Sequence, residues 1–142
     1  MTNNEEIIRE LYATAEGNNL NADRFVSIFA DDGYFLDVAS GGKWTGDEVR
    51  QPVEGLASAF PDIHRDLVRV YSAADGVVVV ELKLQGTHTG DFHTPSGVIP
   101  ATGKTFDVPC CDVFHVENGR VKSFHCYNMP SIWLAQLGVT GG

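Results

Sequence analysis

Hydrophobic residues recur every three or four positions along the first part of the chain. Ile7, Leu11 and Ala15 share one side of a helical segment with Ile8 and Tyr12, and this spacing is typical of an amphipathic helix that packs against a core. Similar spacing recurs in three further segments. Helices are therefore predicted over residues 3–16, 21–30, 47–60 and 131–137.

The pattern changes from helical spacing to alternation after residue 62. Residues 77–84 contain four consecutive valines and two leucines, a content of β-branched and apolar residues that is typical of a buried strand. Glu117-Asn118-Gly119 is a turn sequence that joins two alternating segments into a predicted hairpin. Strands are predicted over residues 34–38, 63–71, 77–84, 105–116 and 121–128, with a loop or short strand pair over 41–46 and a long loop over 90–103.

This order of elements predicts an α+β fold, because helices come first and a run of four long antiparallel strands follows. The helices are expected to pack on one face of a curved antiparallel sheet. A length of 142 residues suits one domain. We find no repeat and no low-complexity segment, so residues 1–142 are predicted to form a single domain.

The charge and hydropathy of the chain limit its partners. A formal net charge of −9 without a Lys/Arg cluster argues against nucleic acid. No apolar run approaches the roughly 20 residues that cross a bilayer, and the acidic N-terminus lacks the apolar segment of a signal peptide. The expected partner is therefore a small molecule, with no nucleic acid and no membrane, and the expected compartment is the cytoplasm.

The three cysteines, Cys110, Cys111 and Cys126, are expected to be reduced thiols, because their number is odd and the expected compartment is reducing. Adjacent residues of a strand point to opposite faces, so Cys110 and Cys111 are expected on different sides of the sheet. The sequence has no CxxC motif and no HxH or HxxxH pair, which are spacings typical of metal sites. We therefore predict neither a metal nor a cofactor.

Five short motifs, in the right order and spacing, resemble the SnoaL-like family of the nuclear-transport-factor-two-like superfamily. The most specific of them is GTHTG at 86–90 followed by ATGK at 101–104. The others are FPDIH at 60–64, DVF at 112–114, ENGRV at 117–121 and QLG at 136–138. The resemblance runs from about Ile7 to Gly138, which is nearly the whole chain.

The resemblance implies a cone-shaped α+β barrel with an apolar-lined pocket between a bent sheet and packed helices. Members of this family include polyketide cyclases, which close a ring by an intramolecular aldol reaction without a metal or cofactor. Related folds include ketosteroid isomerases, epoxide hydrolases, dehydratases and non-catalytic binders. The fold alone therefore does not select a reaction.

Asp112 and His125 are the candidate catalytic residues. Asp112 lies in an otherwise apolar segment, where a carboxyl group must be hydrogen-bonded, paired or raised in pKa. The imidazole of His125 exchanges a proton near neutral pH. Alternation along the last strand from Val121 puts Ser123, His125 and Tyr127 on one face. The resemblance implies that this is the pocket face, because an aromatic or basic residue at the His125 position typically points inward in the family. There His125 can bond to Asp112 on the paired strand. The alternative for each residue is a purely structural role.

Six further residues are candidates for contacting a substrate, namely Tyr34, Trp44, His64, Asp66, His88 and Tyr127. The two tyrosines can donate hydrogen bonds to a carbonyl or oxyanion, and the tryptophan is expected at the pocket mouth. His64 and Asp66 alternate on one strand, so both are expected to face inward or both outward. Aromatic lining or loop structure is the alternative for the other four.

The sequence departs from the family at one important position. The cyclases place a catalytic aspartate just before the QLG helix, and the matching residue here is Met129, beside Asn128. Neither side chain can act as a carboxylate base, so the cyclase reaction cannot be transferred unchanged.

The predicted function is an enzyme that moves a proton, without a cofactor, on a small and largely apolar carbonyl compound. Cyclisation, isomerisation and dehydration all fit this description. The alternatives are a non-catalytic small-molecule binder and a dimerisation domain. A homodimer is expected to use the outer sheet face, for which His115, Phe124 and Cys126 are candidates.

Overall fold

Across residues 3–139, the part of the chain that the computed structural model describes, four α-helices and eight β-strands are found. The helices are α1 (Asn4–Ala15), α2 (Ala22–Ile28), α3 (Arg50–Ala59) and α4 (Pro130–Gln136). The strands are β1 (Phe29–Asp37), β2 (Gly42–Thr45), β3 (His64–Ser72), β4 (Val77–Thr87), β5 (Phe92–Thr94), β6 (Gly97–Ile99), β7 (Thr105–Glu117) and β8 (Arg120–Tyr127).

Six of these strands form one curved sheet in the order β2-β1-β8-β7-β4-β3. Neighbouring strands are antiparallel except for β1 and β8, which pair in parallel. The predicted α+β class is confirmed, with one parallel pair in a sheet that was expected to be wholly antiparallel. This pair places the N-terminal strand β1 one strand in from the β2 edge of the sheet, next to the last strand β8.

Local signals explain why several elements begin and end where they do. The side chain of Asn3 accepts a hydrogen bond from the Glu6 backbone N–H at 2.8 Å, and Asn21 caps α2 in the same way. Asn118 and Gly119 have φ values of 53° and 77°, as in the two-residue turns that join antiparallel strands. Asn3 and Asn21 therefore cap their helices, and the predicted β7–β8 hairpin is confirmed.

One loop prediction needs correction, and the open alternative of a loop or a short strand pair over 41–46 is resolved in favour of a strand. The segment 90–103 is not a continuous loop, because β5 and β6 pair there as a separate two-stranded ribbon. The segment 41–46 contains β2, which extends the main sheet by pairing with β1. Both strands of the ribbon are only three residues long, too short for alternation to be recognised.

The buried apolar residues form one continuous cluster between the helices and one face of the sheet. Ile8 and Leu11 of α1 and Phe25 of α2 are almost completely buried, as are Val80 of β4 and Phe114 of β7. We call the side of the sheet that faces this cluster the inner face, and the opposite side the outer face.

A β-bulge in the β7–β8 hairpin determines which side chains of β8 lie on the inner face. Val116 pairs with Val121, but the preceding residue His115 pairs with Ser123. Lys122 is therefore one extra residue on β8, and an extra residue shifts the alternation of all positions that follow it.

The shift places Phe124 and Cys126 on the inner face, and Ser123, His125 and Tyr127 on the outer face. Phe124 is buried and its ring centroid lies 4.1 Å from that of Phe35 in the core. The prediction that Ser123, His125 and Tyr127 face the pocket is wrong, because it assumed unbroken alternation from Val121. The prediction that Phe124 and Cys126 lie on the outer face is wrong for the same reason.

Candidate functional site

A carboxyl group lies inside the apolar cluster, at the centre of the inner face. Asp112 of β7 is 3% exposed, and its Oδ2 accepts a hydrogen bond from the hydroxyl of Tyr12 at 2.6 Å. The thiol of Cys110 lies 3.5 Å from the other oxygen, Oδ1. Cys110 and Asp112 are two residues apart on one strand, so alternation places them on the same face.

The helix α1 holds Tyr12 over the strand that carries Asp112. The ring of Tyr12 meets Phe114 edge to face, with the centroids 5.8 Å apart and the planes at 87°, a favourable geometry for aromatic rings. This packing fixes the ring, and the hydroxyl then reaches Asp112. Tyr12 is not recognisable as a site residue in the sequence, because its helical spacing is that of an ordinary core residue.

Two sulfur atoms complete this group. The Sγ atoms of Cys110 and Cys126 lie 3.9 Å apart, and the side-chain amide of Asn128 lies 3.7 Å from the sulfur of Cys126. We call Tyr12, Cys110, Asp112 and Cys126 the inner polar cluster. The ligand atoms of its two cysteines and its aspartate lie within 4.8 Å of one another, so these three residues are candidates for holding a metal ion.

Burial changes the proton affinity of this cluster. It raises the pKa of Asp112 from 3.8 to about 6, although hydrogen bonds from Tyr12 and from the thiols of Cys126 and Cys110 act in the opposite direction. Burial and the neighbouring Asp112 raise the pKa of Tyr12 well above its ordinary value. At neutral pH Tyr12 is therefore a neutral hydrogen-bond donor, and Asp112 is a carboxyl group that changes protonation close to neutrality.

On β3 the inward side chain is Arg65, which the sequence analysis did not select. Its guanidinium donates to the Ala15 carbonyl at 2.7 Å, and its positive charge lowers the pKa of Asp112. His64 and Asp66 lie on either side of it in sequence and are both exposed, with His64 2.5 Å from Glu16. The two residues share a face as expected, but it is the solvent-facing one.

The imidazole of His125 lies on the outer face, away from Asp112. Its Nε2 lies 2.8 Å from the hydroxyl of Tyr34, and its paired neighbour on β7 is Val113, whereas Asp112 pairs with Cys126. The predicted Asp112–His125 hydrogen bond is therefore wrong, because the Lys122 bulge puts the two side chains on opposite sides. Tyr34 shares the outer face, and so does the exposed Tyr127.

Trp44 lies at the β2 edge of the sheet. It is half-buried, and its ring meets that of Phe35 edge to face at 5.7 Å. Trp44 therefore packs beside the apolar rings of the inner face and stays a candidate for contacting a substrate.

His88 connects the two halves of the GTHTG and ATGK motif pair. The ring is completely buried, and its Nδ1 accepts a hydrogen bond from the Thr102 backbone N–H at 3.3 Å. The His88 backbone N–H donates to the Lys104 carbonyl at 2.9 Å, and the Gly103 N–H donates to the His88 carbonyl at 2.8 Å. These bonds give the motif residue a clear structural role at the end of β4.

The position of the family's aspartate lies outside this cluster. Met129 precedes α4 and is 44% exposed. Two open depressions on the surface, of about 680 and 270 Å³, are lined by residues 17–23 with Arg50 and by a group around Asp62 and Thr87. Neither depression is lined by Asp112, and Tyr12, Cys110 and Asp112 are all buried, whereas Cys126 is half-buried.

The SnoaL-like polyketide cyclase family matches residues 6–128, which is most of the chain. The protein therefore belongs to the SnoaL-like polyketide cyclase family, as the motifs predicted. No curated protein sequence matches the chain at a significant level.

Solved structures show the same fold at low sequence identity. A protein from Jannaschia sp. CCS1, assigned as a SnoaL-like polyketide cyclase, is 19% identical with a TM-score of 0.83, covering 97% of this chain and 93% of that one. IdmH of Streptomyces antibioticus, assigned as a polyketide cyclase, is 20% identical with a TM-score of 0.80 and coverages of 97% and 100%.

A third similar structure contains a small molecule. It is a hypothetical protein from Catenulispora acidiphila with a ketosteroid isomerase-like fold, in complex with trimethylamine. Its identity is 24% and its TM-score 0.77, with 94% of this chain and 93% of that chain covered. Within residues 3–139, no helix is long and apolar enough to cross a membrane.

Proposed function

We propose that the protein is a small-molecule enzyme of the cyclase, isomerase or dehydratase type, with Asp112 as its acid/base residue. The observation that carries this proposal is a carboxyl group enclosed among apolar side chains, with a tyrosine hydroxyl on one oxygen. The pKa of about 6 supports it, because a group that titrates near the working pH both accepts and releases protons efficiently. Family membership supports a cyclase-type role.

In this proposal Tyr12 and Asp112 have different tasks. The hydroxyl of Tyr12 holds Oδ2. Oδ1, whose neighbour is the weak thiol donor of Cys110 at 3.5 Å, takes a proton from a carbon next to the substrate carbonyl. The carboxylate becomes a carboxylic acid in that step, and it returns the proton to another atom of the substrate. The charge of Arg65 favours the carboxylate form that begins the cycle.

The surroundings of the site support a largely apolar, polyketide-like carbonyl compound as substrate. Phe35, Phe114 and Phe124 stack on the same inner face, and Trp44 extends this apolar lining to the sheet edge. Because Asp112 is enclosed, a substrate reaches it only after helices or side chains move outward. Proton transfer of this kind needs no cofactor.

The test is exchange of the α-proton of aromatic ketones for deuterium in D₂O, followed by NMR with a panel of polyketide-like compounds. Asp112→Asn is expected to slow exchange by about 10²- to 10⁴-fold, the usual contribution of a general base. Asp107→Asn is the matched control, because Asp107 is an exposed carboxylate on the same strand. Exchange at the wild-type rate in Asp112→Asn would refute the proposal.

Met129, in place of the family's aspartate, favours a second candidate function as a non-catalytic binder of the same compounds. The same panel separates the two functions. A binder is stabilised by a compound in a thermal melt, and the compound's α-protons then exchange no faster than in buffer.

We also propose that the protein is a homodimer formed through the outer face. A row of side chains crosses five strands there, through Leu36, His125, Val113, Val79 and Tyr71. Most of this row is half-buried or exposed and apolar. His115 lies on this face as predicted, next to the row.

We propose the cytoplasm as the compartment and one domain over residues 1–142 as the organisation. The three cysteines are free thiols, which persist in a reducing compartment. Trp44 is still proposed to contact the substrate. Tyr34 and His125 are instead proposed to lie in the dimer interface, because both are on the outer face.

A further inference from the structure

We propose that Cys110, Asp112 and Cys126 form a binding site for one thiophilic divalent cation of the Zn²⁺ or Cd²⁺ class. Their Sγ atoms are 3.9 Å apart, and the sulfur of Cys110 is 3.5 Å from Oδ1 of Asp112. Thiolates select soft metal ions, and a carboxylate oxygen is a common third ligand for zinc.

These separations match the edges of a tetrahedral zinc site. Zinc lies about 2.3 Å from sulfur and about 2.0 Å from a carboxylate oxygen. Tetrahedral angles then separate two sulfur ligands by about 3.8 Å, and a sulfur and an oxygen ligand by about 3.5 Å. The 3.9 and 3.5 Å separations therefore fit a tetrahedral site on two of the three edges, and all three donor atoms lie within 4.8 Å of one another.

The strand register explains why sequence spacing did not reveal this site. Asp112 pairs directly with Cys126 across the β7–β8 ladder, and Cys110 lies two residues earlier on the same face. Cys126 reaches that face only because of the bulge at Lys122. The ligands are therefore adjacent across strands, where motifs such as CxxC do not apply.

The groups around the three ligands suit a bound cation. Tyr12 donates to Oδ2 of Asp112, and Oδ1 lies 3.5 Å from the sulfur of Cys110, so Tyr12 orients the carboxylate as outer-shell partners of metal ligands do. The amide of Asn128 points its Nδ2 at the sulfur of Cys126 at 3.7 Å and can donate to a thiolate. Three protein ligands leave a fourth position for water, the arrangement of open zinc sites.

The site is shallowest on the side of β8. Cys126 and Asn128 are half-buried, whereas Cys110 and Asp112 lie deeper. A cation entering here meets Cys126 first. Because it would then occupy Oδ1 of Asp112, it would also block the proposed proton transfer, but its binding does not depend on that function.

The test is titration of the full chain with Cd²⁺ alone, following the ultraviolet cadmium–thiolate charge-transfer absorbance, with Zn²⁺ as competitor. One equivalent of Cd²⁺ per chain is expected to bind. Changing an outer-shell partner of a metal ligand weakens binding by up to about 100-fold. Cys126 is a direct ligand, so Cys126→Ser is expected to weaken binding by at least that factor. Cys111→Ser is the matched control, because this neighbouring thiol lies on the outer face and its loss is expected to leave binding unchanged.

Absence of the absorbance in the wild type, equal binding by Cys126→Ser, or loss of binding in Cys111→Ser would each overturn the site. Circular dichroism checks the fold of each variant. Tyr12→Phe provides a second test that keeps all three ligands, and it is expected to weaken Cd²⁺ binding about tenfold or more. An unchanged affinity in Tyr12→Phe contradicts the proposed geometry. None of these readouts uses turnover, so failure of the proposed reaction leaves the metal result intact.

Discussion

The carboxyl group of Asp112 is buried at a cost in folding free energy that depends on pH. Its pKa in the folded chain, about 6, lies above the ordinary 3.8, so the folded state keeps the proton over a range where the unfolded chain has lost it. The stability that this proton provides is complete below about pH 4 and is lost as the pH rises through about 6. The shift of this pKa between the unfolded and folded chain corresponds to a loss of about 3 kcal/mol of folding free energy at neutral pH.

The variant Asp112→Asn is therefore expected to gain stability relative to the wild type as the pH rises. The difference between their free energies of unfolding should change by up to about 3 kcal/mol between pH 4 and 7. Urea denaturation at both pH values measures it, with Asp107→Asn as the control. A difference that stays constant with pH would show that Asp112 titrates normally.

Tyr12 is expected to hold the pKa of Asp112 down, since its hydrogen bond favours the carboxylate. Tyr12→Phe removes that donor without removing the ring that packs on Phe114. The pKa of Asp112 is then expected to rise further above 6. Carboxyl ¹³C NMR through a pH titration gives the value, and an unchanged midpoint would contradict the assigned contact.

At this scale the sequence predicts the aspartate but not its partners. A carboxylate in an apolar strand already indicates a shifted pKa, whereas Tyr12 lies 100 positions away in the chain. Its approach depends on how α1 packs against β7, and no local pattern encodes that packing. The inward position of Arg65 cannot be predicted either, because alternation alone does not say which of the two faces of β3 is the inner one.

Among the elements, helices and most strands follow from spacing, caps and turns, as with Asn3, Asn21 and Asn118. The errors occur where an element departs from strict regularity. The ribbon of β5 and β6 is too short to show alternation. The bulge on β8 interrupts the alternation from Val121 on which the predicted orientation of His125 was based. Both departures are set by pairing with neighbouring chain segments rather than by the residues of one strand.

Two glycines on and beside α3 are expected to respond oppositely to alanine. A Cβ at Gly90 would lie 2.2 Å from the Ser58 carbonyl oxygen, whereas a Cβ at Gly55, inside the helix, has no neighbour within 4 Å. Gly90→Ala is expected to destabilise the protein by about 1–3 kcal/mol through overpacking. Gly55→Ala is expected to stabilise it by about 0.5–1 kcal/mol through helix propensity.

Thermal or urea unfolding of the two variants measures both signs in one experiment. No effect of Gly90→Ala would show that Gly90 of the GTHTG motif does not lie against the Ser58 carbonyl, and destabilisation by Gly55→Ala would show that position 55 is not open.

For the whole molecule, the motifs predict the family and the fold, because their order reflects the arrangement of complete elements. The motifs do not predict which side chains line the interior. That depends on which face of each strand is the inner one, and for β8 it is determined by the extra residue Lys122.

The proposed homodimer gives a prediction for the whole molecule. Val113 lies at the centre of the outer-face row, so Val113→Lys is expected to separate dimers into monomers by placing a charge in an apolar contact. Val98→Lys, at an exposed position of the β5–β6 ribbon, is the control. Sedimentation velocity measures the mass, and a wild-type monomer, or a dimer unaffected by Val113→Lys, would exclude this interface.

The extra residue at Lys122 has an evolutionary consequence. Gain or loss of one codon at this point of the hairpin exchanges the two faces of the strand as far as Tyr127. The inner face of β8 would then present histidine and tyrosine in place of phenylalanine and cysteine, with no substitution at any of those positions. Related proteins whose hairpins differ in length here are therefore expected to differ abruptly in ligand preference, and their active sites are to be compared by strand register rather than by aligned columns.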